Sequence, residues 1–303
     1  MAENYLIEPD PGFIKEVVGL GGESLKKCYQ CATCSVACPI SPDNKPFPRK
    51  EMIAASWGLK DRLVGNHDIW LCHNCGDCST LCPRDAKPGD VLAAIRQYAI
   101  TDYAAPKALG KMVNDPSKLP VLLGIPTVLF IVVGLLTGLL DFSPGGDEVV
   151  QWHFFSTWLV DMFFVPLALW VIVSFALALK RFLGDIHASA LETGKTDKAK
   201  IEPVGFVLAL IRVIPTILTH RKFTECSENN SRSTPHLMVL FSFIALLIVT
   251  TYAFITLYGL GIHSPHSQLN PIKWLANAGG IALIVGSLLL IKERRAKTDE
   301  VSH

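Results

Sequence analysis

The sequence predicts a mainly α-helical protein, in which a cysteine-rich helical domain is followed by a bundle of membrane-spanning helices. Two observations lead to this prediction. Eight of the nine cysteines of the 303-residue chain lie within its first 82 residues, and long apolar runs begin only after them, from Leu119 onward. Strand signals are few in the cysteine-rich part, where apolar residues recur at helical spacing. The net charge of +1 argues against nucleic acid as a partner.

The cysteines form two copies of one motif, each followed by a proline. The copies are Cys28-x-x-Cys31-x-x-Cys34-x-x-x-Cys38-Pro39 and Cys72-x-x-Cys75-x-x-Cys78-x-x-x-Cys82-Pro83. This spacing is typical of proteins with two [4Fe–4S] clusters, in which the fourth cysteine of each motif binds the other cluster. The motifs therefore predict one cluster on Cys28, Cys31, Cys34 and Cys82, and a second on Cys72, Cys75, Cys78 and Cys38.

Two other uses of these cysteines fit the motif less well. Structural zinc sites commonly pair two C-x-x-C or C/H units and lack a third evenly spaced cysteine. Disulfides need an oxidising compartment, and we expect no secretory signal before the motifs. The remaining cysteine, Cys226, is expected to be a free thiol. Short helices are predicted over Arg49–Gly58, between the motifs, and over Val91–Ala99, after them.

Four apolar runs are long enough, at about 20 residues each, to span a bilayer. They are Leu119–Leu140, Phe154–Leu179, Leu237–Leu260 and Trp274–Ile291. A fifth run, Pro203–Thr219, is shorter and carries Arg212 in its middle, which favours an amphipathic helix at the interface over a fifth span. The expected domains are a ferredoxin-type domain (1–105), a linker (106–118), a membrane domain (119–291) and a basic tail (292–303).

The distribution of basic residues predicts the orientation of the four spans. The loop from Lys180 to Pro235 holds nine Lys or Arg residues and the tail from Lys292 adds four, whereas the loops Asp141–His153 and Gly261–Lys273 hold one between them. Basic loops stay on the cytoplasmic side. We therefore expect a protein of the cytoplasmic membrane, in contact with lipid, with both termini and the cysteines in the cytoplasm.

Histidines near the ends of the apolar runs predict haem ligands, because imidazole binds haem iron and the macrocycle fits between helices. For a haem at the outer face we expect His153 with His263, and His266 as the substitute. For a haem at the inner face we expect His236 with either His187 or His220. Any one of these histidines has an equally good alternative as a hydrogen-bonding residue of the interface.

One carboxylate lies within a membrane run. Asp161 belongs to the second run, where an ionisable side chain is costly in hydrocarbon and is therefore a candidate functional group. It is expected either to handle protons or to bond to a neighbouring helix. Pro166 in the same run is expected to kink the helix.

Both halves of the chain resemble components of known redox systems. The double cysteine motif, with the phrase Asp68-Ile69-Trp70-Leu71-Cys72, resembles the C subunit of heterodisulfide reductases. The membrane half, with His220-Arg221-Lys222-Phe223, Cys226 and Ser233-Thr234-Pro235-His236, resembles the cytochrome b subunit of the same systems and, more distantly, the gamma subunit of nitrate reductases. Their fusion resembles the membrane component (QmoC) of the quinone-interacting membrane-bound oxidoreductase (Qmo) family.

The resemblance implies an electron-transfer subunit of a quinone-dependent oxidoreductase, with two [4Fe–4S] clusters and two b haems. It implies exchange of electrons with menaquinone, two soluble flavin and iron–sulfur subunits like QmoA and QmoB as partners, and APS reductase as the destination in dissimilatory sulfate reduction. Three alternatives stay open. The chain could serve a heterodisulfide-reductase-like complex, relay electrons between a periplasmic cytochrome and a cytoplasmic reductase, or be a membrane anchor with structural zinc.

Overall fold

The computed structural model describes residues 8–142, 154, 156–220, 231–262 and 266–296. Across these residues the regular structure is helical, without an extended β-strand. The mainly α-helical fold class, with a cysteine-rich helical region and four helices of membrane-spanning length, is thereby confirmed. The chain divides into two compact units.

The first unit contains the chain up to Ile125 and the segment Leu167–Pro215. Its cysteine-rich part consists of short helices joined by tight loops. They are α1 (Pro11–Gly19), α2 (Thr33–Ala37), α3 (Arg49–Ser56), α4 (Lys60–Val64), α5 (Asp68–Leu71), α6 (Asp77–Thr80), α7 (Pro88–Tyr103) and α8 (Lys107–Val113). A 3₁₀ turn, Glu23–Lys27, precedes the first cysteine motif.

Helix α7 provides the centre of the core. Its residues Val91, Leu92, Ile95 and Ala99 are fully buried and recur three or four positions apart, so they form one apolar face. Helices α1, α3 and α4 pack against this helix. The helix predicted over Val91–Ala99 is therefore present and extends beyond both predicted ends.

One glycine allows the start of α1 to approach the end of α3. Gly58 has φ of +72°, and a Cβ atom there would lie 2.8 Å from the carbonyl oxygen of Asp10. The Asp10 N–H donates to the Gly58 carbonyl at 2.9 Å, and the Asp10 carboxylate accepts from the Phe13 N–H at 3.0 Å as the cap of α1. A side chain at position 58 would separate the two segments.

The segment expected to be a linker, 106–118, has regular structure of its own. It contains α8 and a 3₁₀ turn, Pro116–Lys118. Helix α8 packs back against α7, and a Cβ atom at Gly110 would lie 2.8 Å from the Cβ of Ala104. This segment is therefore a packed extension of the cysteine-rich part.

Four helices are long and apolar enough to cross a membrane. They are α9 (Leu119–Leu136), α10 (Thr157–Glu192), α12 (Ser233–Phe254, continued by a π-helical turn at Ile255–Gly259) and α13 (Pro271–Ala296). A further apolar helix, α11 (Pro203–Thr219), precedes α12 and has 17 residues. At 1.5 Å per residue it rises about 25 Å, which is less than the thickness of a hydrocarbon core, about 30 Å.

Helix α10 is longer than a bilayer requires. Its 36 residues correspond to about 54 Å. The apolar run ends near Leu179, but the helix continues to Glu192. This continuation packs against the cysteine-rich part of the first unit, where a Cβ atom at Gly65 would lie 3.0 Å from the Cβ of Asp185.

In the second unit, α12 and α13 pack closely along their lengths. Glycines of α13 make the approach possible: a Cβ atom at Gly286 would lie 3.0 Å from the Pro235 carbonyl oxygen, and one at Gly279 would lie 3.3 Å from the Cβ of Ala245. Small residues at such contacts allow membrane helices to approach by van der Waals packing. The buried Ser242 hydroxyl donates to the Met238 carbonyl at 2.6 Å, which satisfies it within its own helix.

Candidate metal centres

Each cysteine motif wraps around a cavity. Cys28, Cys31 and Cys34 of the first motif line one cavity, and the fourth cysteine at this cavity is Cys82 of the second motif. Cys72, Cys75 and Cys78 line the other cavity, together with Cys38 of the first motif. The structure thus brings the eight thiols together in the two groups of four that the sequence predicts. Ligation itself stays a prediction.

The two motifs fold in the same way because the backbone turns left-handed at matching positions. Gln30 and Ala32 have φ near +69° and +68°, and the residues at the same places in the second motif, Asn74 and Gly76, have φ of +52° and +93°. These turns curl each loop around its cavity and start the short helices α2 and α6. Only Gly76 adopts such a conformation without steric cost.

The thiols surround cavities in which a negative charge is unfavourable unless a cation is bound. Burial, followed by the charges of neighbouring thiols, raises the pKa of Cys34 to about 11 and that of Cys78 to about 12. Burial also raises the pKa of Cys38 and of Cys72. Iron would supply the positive charge that keeps these sulfurs deprotonated, so the donor set fits an iron–sulfur cluster.

Hydrogen bonds to sulfur are present at both cavities. The Asn74 N–H donates to Cys72 Sγ and the Ala86 N–H donates to Cys82 Sγ, each at 3.4 Å, and Thr33 Oγ1 lies 3.2 Å from Cys31 Sγ. Such bonds, with burial, set the reduction potential of a cluster. Within the described residues, no three His, Cys, Asp or Glu side chains are arranged to hold a single metal ion.

Two arginines that the sequence analysis did not identify support the loops. Arg96 of α7 donates to the Cys72 carbonyl at 2.8 Å and to the Ile69 carbonyl at 3.2 Å. Arg49 of α3 donates to the Gln30 carbonyl at 3.2 Å. Long-range contacts of this kind leave no periodic pattern, so the sequence does not predict them. The only related signal was that Arg49 begins a predicted helix.

A buried acidic cluster lies beside α5, which leads into Cys72. Glu51 and Asp68 are almost completely buried, and Lys50 pairs with both of them. Asn66 donates to Glu51 at 3.3 Å, and His67 Nε2 lies 3.0 Å from Asp68. Burial raises the pKa of Glu51 to about 7, although Lys50 opposes the shift. The cluster was not predicted, since its members are separated in sequence.

The histidines predicted to bind haem are only partly described. His153 and His263, expected at the outer face, lie outside the described residues, as does Cys226. The substitute, His266, packs against the Tyr252 ring with centroids 5.7 Å apart. The outer pair therefore stays a prediction.

Two histidines predicted for the inner face meet in the second unit. The rings of His220 and His236 are in edge contact, with centroids 4.6 Å apart. Two imidazoles are suitable donors for haem iron, but rings in direct contact leave no room for an iron between them, so these two would have to separate to bind one. The other candidate, His187, lies in the first unit on the continuation of α10, and its Nε2 is buried with no hydrogen-bond partner among described groups.

The intramembrane carboxylate has a partner. Tyr258, in the π-helical turn after α12, donates a hydrogen bond to Asp161 of α10 within the second unit. Asp161 was expected either to handle protons or to bond to a neighbouring helix, and this contact is a bond of the second kind. Pro166 lies inside α10, which is described as one helix across it.

Two cavities, each lined by four cysteines in the spacing of an iron–sulfur motif, are the candidate metal centres of the first unit. A family model described as a 4Fe-4S dicluster domain matches residues 24–86, which include both motifs. This match and the two four-cysteine cavities support [4Fe–4S] clusters in the cysteine-rich part, which is followed by helices of membrane-spanning length.

The similar proteins belong to heterodisulfide reductases. The C subunit of the H(2):CoB-CoM heterodisulfide,ferredoxin reductase of Methanothermobacter marburgensis is 36% identical over 108 residues, which are 34% of this chain and 58% of the relative. The C2 subunit of the H(2)/formate:CoB-CoM heterodisulfide,ferredoxin reductase of Methanococcus maripaludis is 37% identical over 100 residues, 30% of this chain and 54% of the relative.

A third relative comes from Archaeoglobus profundus and is named as a protein like the C subunit of heterodisulfide reductase. It is 31% identical over 105 residues, which are 34% of this chain and 56% of the relative. The chain thus spans somewhat more than half the length of these relatives, and the matches cover about a third of the chain. They support an electron-transfer role in an oxidoreductase of several subunits.

Proposed function

We propose that this chain is the membrane electron-transfer subunit of a heterodisulfide-reductase-like complex that uses menaquinol as its electron source. The observation that carries the proposal is the combination in one chain of two four-cysteine cavities and four membrane-length helices. The eight cysteines would hold two [4Fe–4S] clusters, with Cys82 and Cys38 exchanged between the motifs. Bound clusters and haems supply one-electron chemistry, and no acid or nucleophile of the chain is required for it.

The roles of the chain's own residues follow from the geometry. Arg49 and Arg96 fix the loops that carry the cysteines, and the N–H groups of Asn74 and Ala86 direct their dipoles at the sulfurs. In the membrane half, His236 with either His187 or His220 would hold an inner b haem. The rings of His220 and His236 are in contact, so that pair would have to separate to bind the iron. His153 and His263 would hold an outer haem.

A more specific proposal is that this chain belongs to a complex of the Qmo type. Menaquinol would then be the donor, two soluble flavin and iron–sulfur subunits would receive electrons, and APS reductase would be the destination. The curated relatives support the heterodisulfide-reductase-like alternative more directly than the role in sulfate reduction, because their names refer only to heterodisulfide reductases.

A second candidate function is a conduit from a periplasmic cytochrome. The short loops predicted outside the membrane, Asp141–His153 and Gly261–Lys273, are too short for a folded docking domain. This length favours the quinol-dependent function.

The test is a spectrum of the anaerobically purified protein in detergent, first oxidised and then treated with menadiol. We expect sharp b-haem bands, bleaching of the broad iron–sulfur absorption, and about ten irons per chain, eight from two four-iron clusters and one from each of two haems. Haem bands that appear only with dithionite would contradict quinol dependence. Zinc in place of iron would overturn the proposal as a whole.

A matched pair of substitutions tests the cysteine assignment. Cys38→Ser should perturb the electron paramagnetic resonance signal of one cluster and lower the iron content, because the second cavity loses a ligand. Cys226→Ser, outside both motifs, should change neither. Equal effects of the two substitutions would contradict the assignment of Cys38 as a cluster ligand.

A further inference from the structure

A second kind of cavity lies within the first unit, on the side of the cysteine-rich part that packs against α10. Its volume is about 500 Å³, which is within the usual range for sites that bind small molecules. One wall comes from Trp70 of α5 and from the end of α7 with the residues that follow it. The other wall is the stretch of α10 from Trp170 to Phe182.

The walls are aromatic and carry no charge. Five aromatic rings line the cavity, and they are Trp70, Tyr103, Trp170, Phe175 and Phe182. The ring of Phe182 packs edge-on against Trp70 and Tyr103, with centroids 5.2 and 5.4 Å apart. No Lys or Arg is among the lining residues. The Arg181 guanidinium lies 5.8 Å from the centroid of the Tyr103 ring and donates to the Asp102 carbonyl.

The α10 wall of the cavity is apolar and partly exposed. Its α10 wall belongs to a helix of membrane-spanning length, and Phe175 in that wall is 65% exposed. A ligand that partitions into lipid could therefore enter sideways. Flat aromatic molecules suit these walls, because edge-on and offset contacts between rings are favourable.

One edge of the cavity has a route for protons. The Tyr103 hydroxyl donates to the Asp185 carboxylate at 2.8 Å, and Asp185 is exposed. Burial, followed by this hydrogen bond, raises the pKa of Tyr103, so its hydroxyl keeps a proton at neutral pH. A hydroxyl that donates to an exposed carboxylate can accept a proton from a ligand as it releases its own.

The cavity is also close in sequence to a cysteine motif. Trp70 lies two residues before Cys72, and Arg96 bonds to the carbonyl groups of Ile69 and Cys72 on either side of Trp70 and Leu71. The segment between the cavity and the cysteine is therefore held firmly.

We infer that this cavity binds the ring of an isoprenoid quinone and that Tyr103 and Asp185 take protons from the quinol. The inference rests on the proposed function and assigns it a site. Oxidation of one quinol breaks two O–H bonds, forms two C=O bonds, and releases two electrons and two protons. Iron–sulfur clusters or haems held by the residues of the proposed function would accept the two electrons, one each. The protons pass by way of the Tyr103 hydroxyl and the Asp185 carboxylate to water.

The experiment measures binding of a naphthoquinone with a single prenyl unit to the full chain in detergent, by quenching of tryptophan fluorescence. Ala178→Phe places a ring at a residue that lines the cavity. Ala176→Phe, on the same helix but outside the lining, is the matched control. We expect Ala178→Phe to weaken binding by at least about tenfold and Ala176→Phe to change it by less than about twofold.

Failure of this site and failure of the proposed function give different results. If the wild-type protein binds no quinone, the proposed function fails. If it binds quinone and the two substitutions act alike, the quinone site is elsewhere and this inference is overturned. Native mass spectrometry that finds a phospholipid retained by the wild type and lost in Ala178→Phe, with quinone binding unchanged, also overturns it.

The proton route is tested with a second pair. Tyr103→Phe keeps the ring and removes the hydroxyl, so we expect binding to stay within about twofold while menadiol oxidation slows by about 100-fold, the usual size of a lost proton transfer. Tyr98→Phe, on the same helix but not in the lining, should alter neither quantity. Unchanged oxidation in Tyr103→Phe would exclude the hydroxyl from the route.

Discussion

At the scale of single residues, Glu51 is the most unusual group of the cysteine-rich part. Its side chain is fully buried next to a second buried carboxylate, Asp68. Lys50 is the basic residue that pairs with both, and Lys195 approaches Asp68 at 3.6 Å. Burial disfavours the charged form of a carboxyl. It raises the pKa of Glu51 to about 7, so Glu51 stays protonated to a higher pH than an exposed glutamate does.

We predict that Glu51→Gln stabilises the protein at alkaline pH. Because the folded-state pKa lies above the ordinary value of 4.5, the contribution of Glu51 is complete below pH 4.5 and is lost as pH rises through about 7. At 1.36 kcal/mol per pKa unit the loss is about 3 kcal/mol. Glutamine resembles the protonated acid and has no such loss.

The measurement is the melting temperature of both proteins in detergent from pH 5 to pH 8. The variant should match the wild type at pH 5 and exceed it increasingly toward pH 8. Asp43→Asn, a carboxyl outside the buried cluster, serves as the control and should show no such trend. A constant difference between Glu51→Gln and the wild type across this range would mean that Glu51 is charged throughout.

At the scale of elements, the two cysteine loops repeat one backbone shape with different residues. The left-handed position that starts the short helix is Ala32 in the first loop and Gly76 in the second. No atom lies within 4 Å of a Cβ built at Gly76, so the backbone conformation alone determines the effect of a side chain there.

We predict that Gly76→Ala weakens the second loop by about 1–2 kcal/mol, the cost of a left-handed backbone for a residue with a Cβ. Ala32→Gly should leave the first loop nearly unchanged, since relief of that cost is offset by the larger entropy of glycine in the unfolded chain, about 0.5–1 kcal/mol. Hydrogen exchange of amides in α2 and α6 measures both local changes. Faster exchange in Ala32→Gly than in Gly76→Ala would contradict the prediction.

The same loops show which features a sequence can predict. The positions of the cysteines and the apolar lengths of α9 and α12 follow local rules of spacing and hydropathy, and both were predictable. The support of Cys72 by Arg96 and the meeting of Glu51 with Asp68 depend on how distant segments pack. Only the folded chain reveals contacts of this kind.

Helix length was predictable only in part. Hydropathy gave the membrane portion of α10, but the continuation to Glu192 is amphipathic and polar, and its helical state is stabilised by packing of Phe182 against Trp70 and Tyr103. For the same reason the segment expected to be a linker holds α8. Tertiary contacts, and not local propensity, decide both segments.

At the scale of the whole molecule, the distribution of basic residues gives a prediction about orientation. Alkaline phosphatase inserted after Phe142 should be active, because that loop is expected outside the cytoplasm, and the same enzyme inserted after Lys198 should be inactive. A fusion after His303 is the control for the cytoplasmic tail and should also be inactive. Activity after Lys198 but not after Phe142 would reverse the orientation.

The fourth cysteine of each motif lies at the cavity formed by the other motif. This exchange determines when the two cavities can form during synthesis of the chain. The first cavity needs Cys82, the last of the eight cysteines to be synthesised, and the second needs both motifs as well. Neither four-cysteine cavity can form while the ribosome is still translating the spacer between the motifs. Under the proposed ligation, both sites are therefore completed only once the second motif has been synthesised, and a nascent chain that stops before it offers the assembly machinery no finished site.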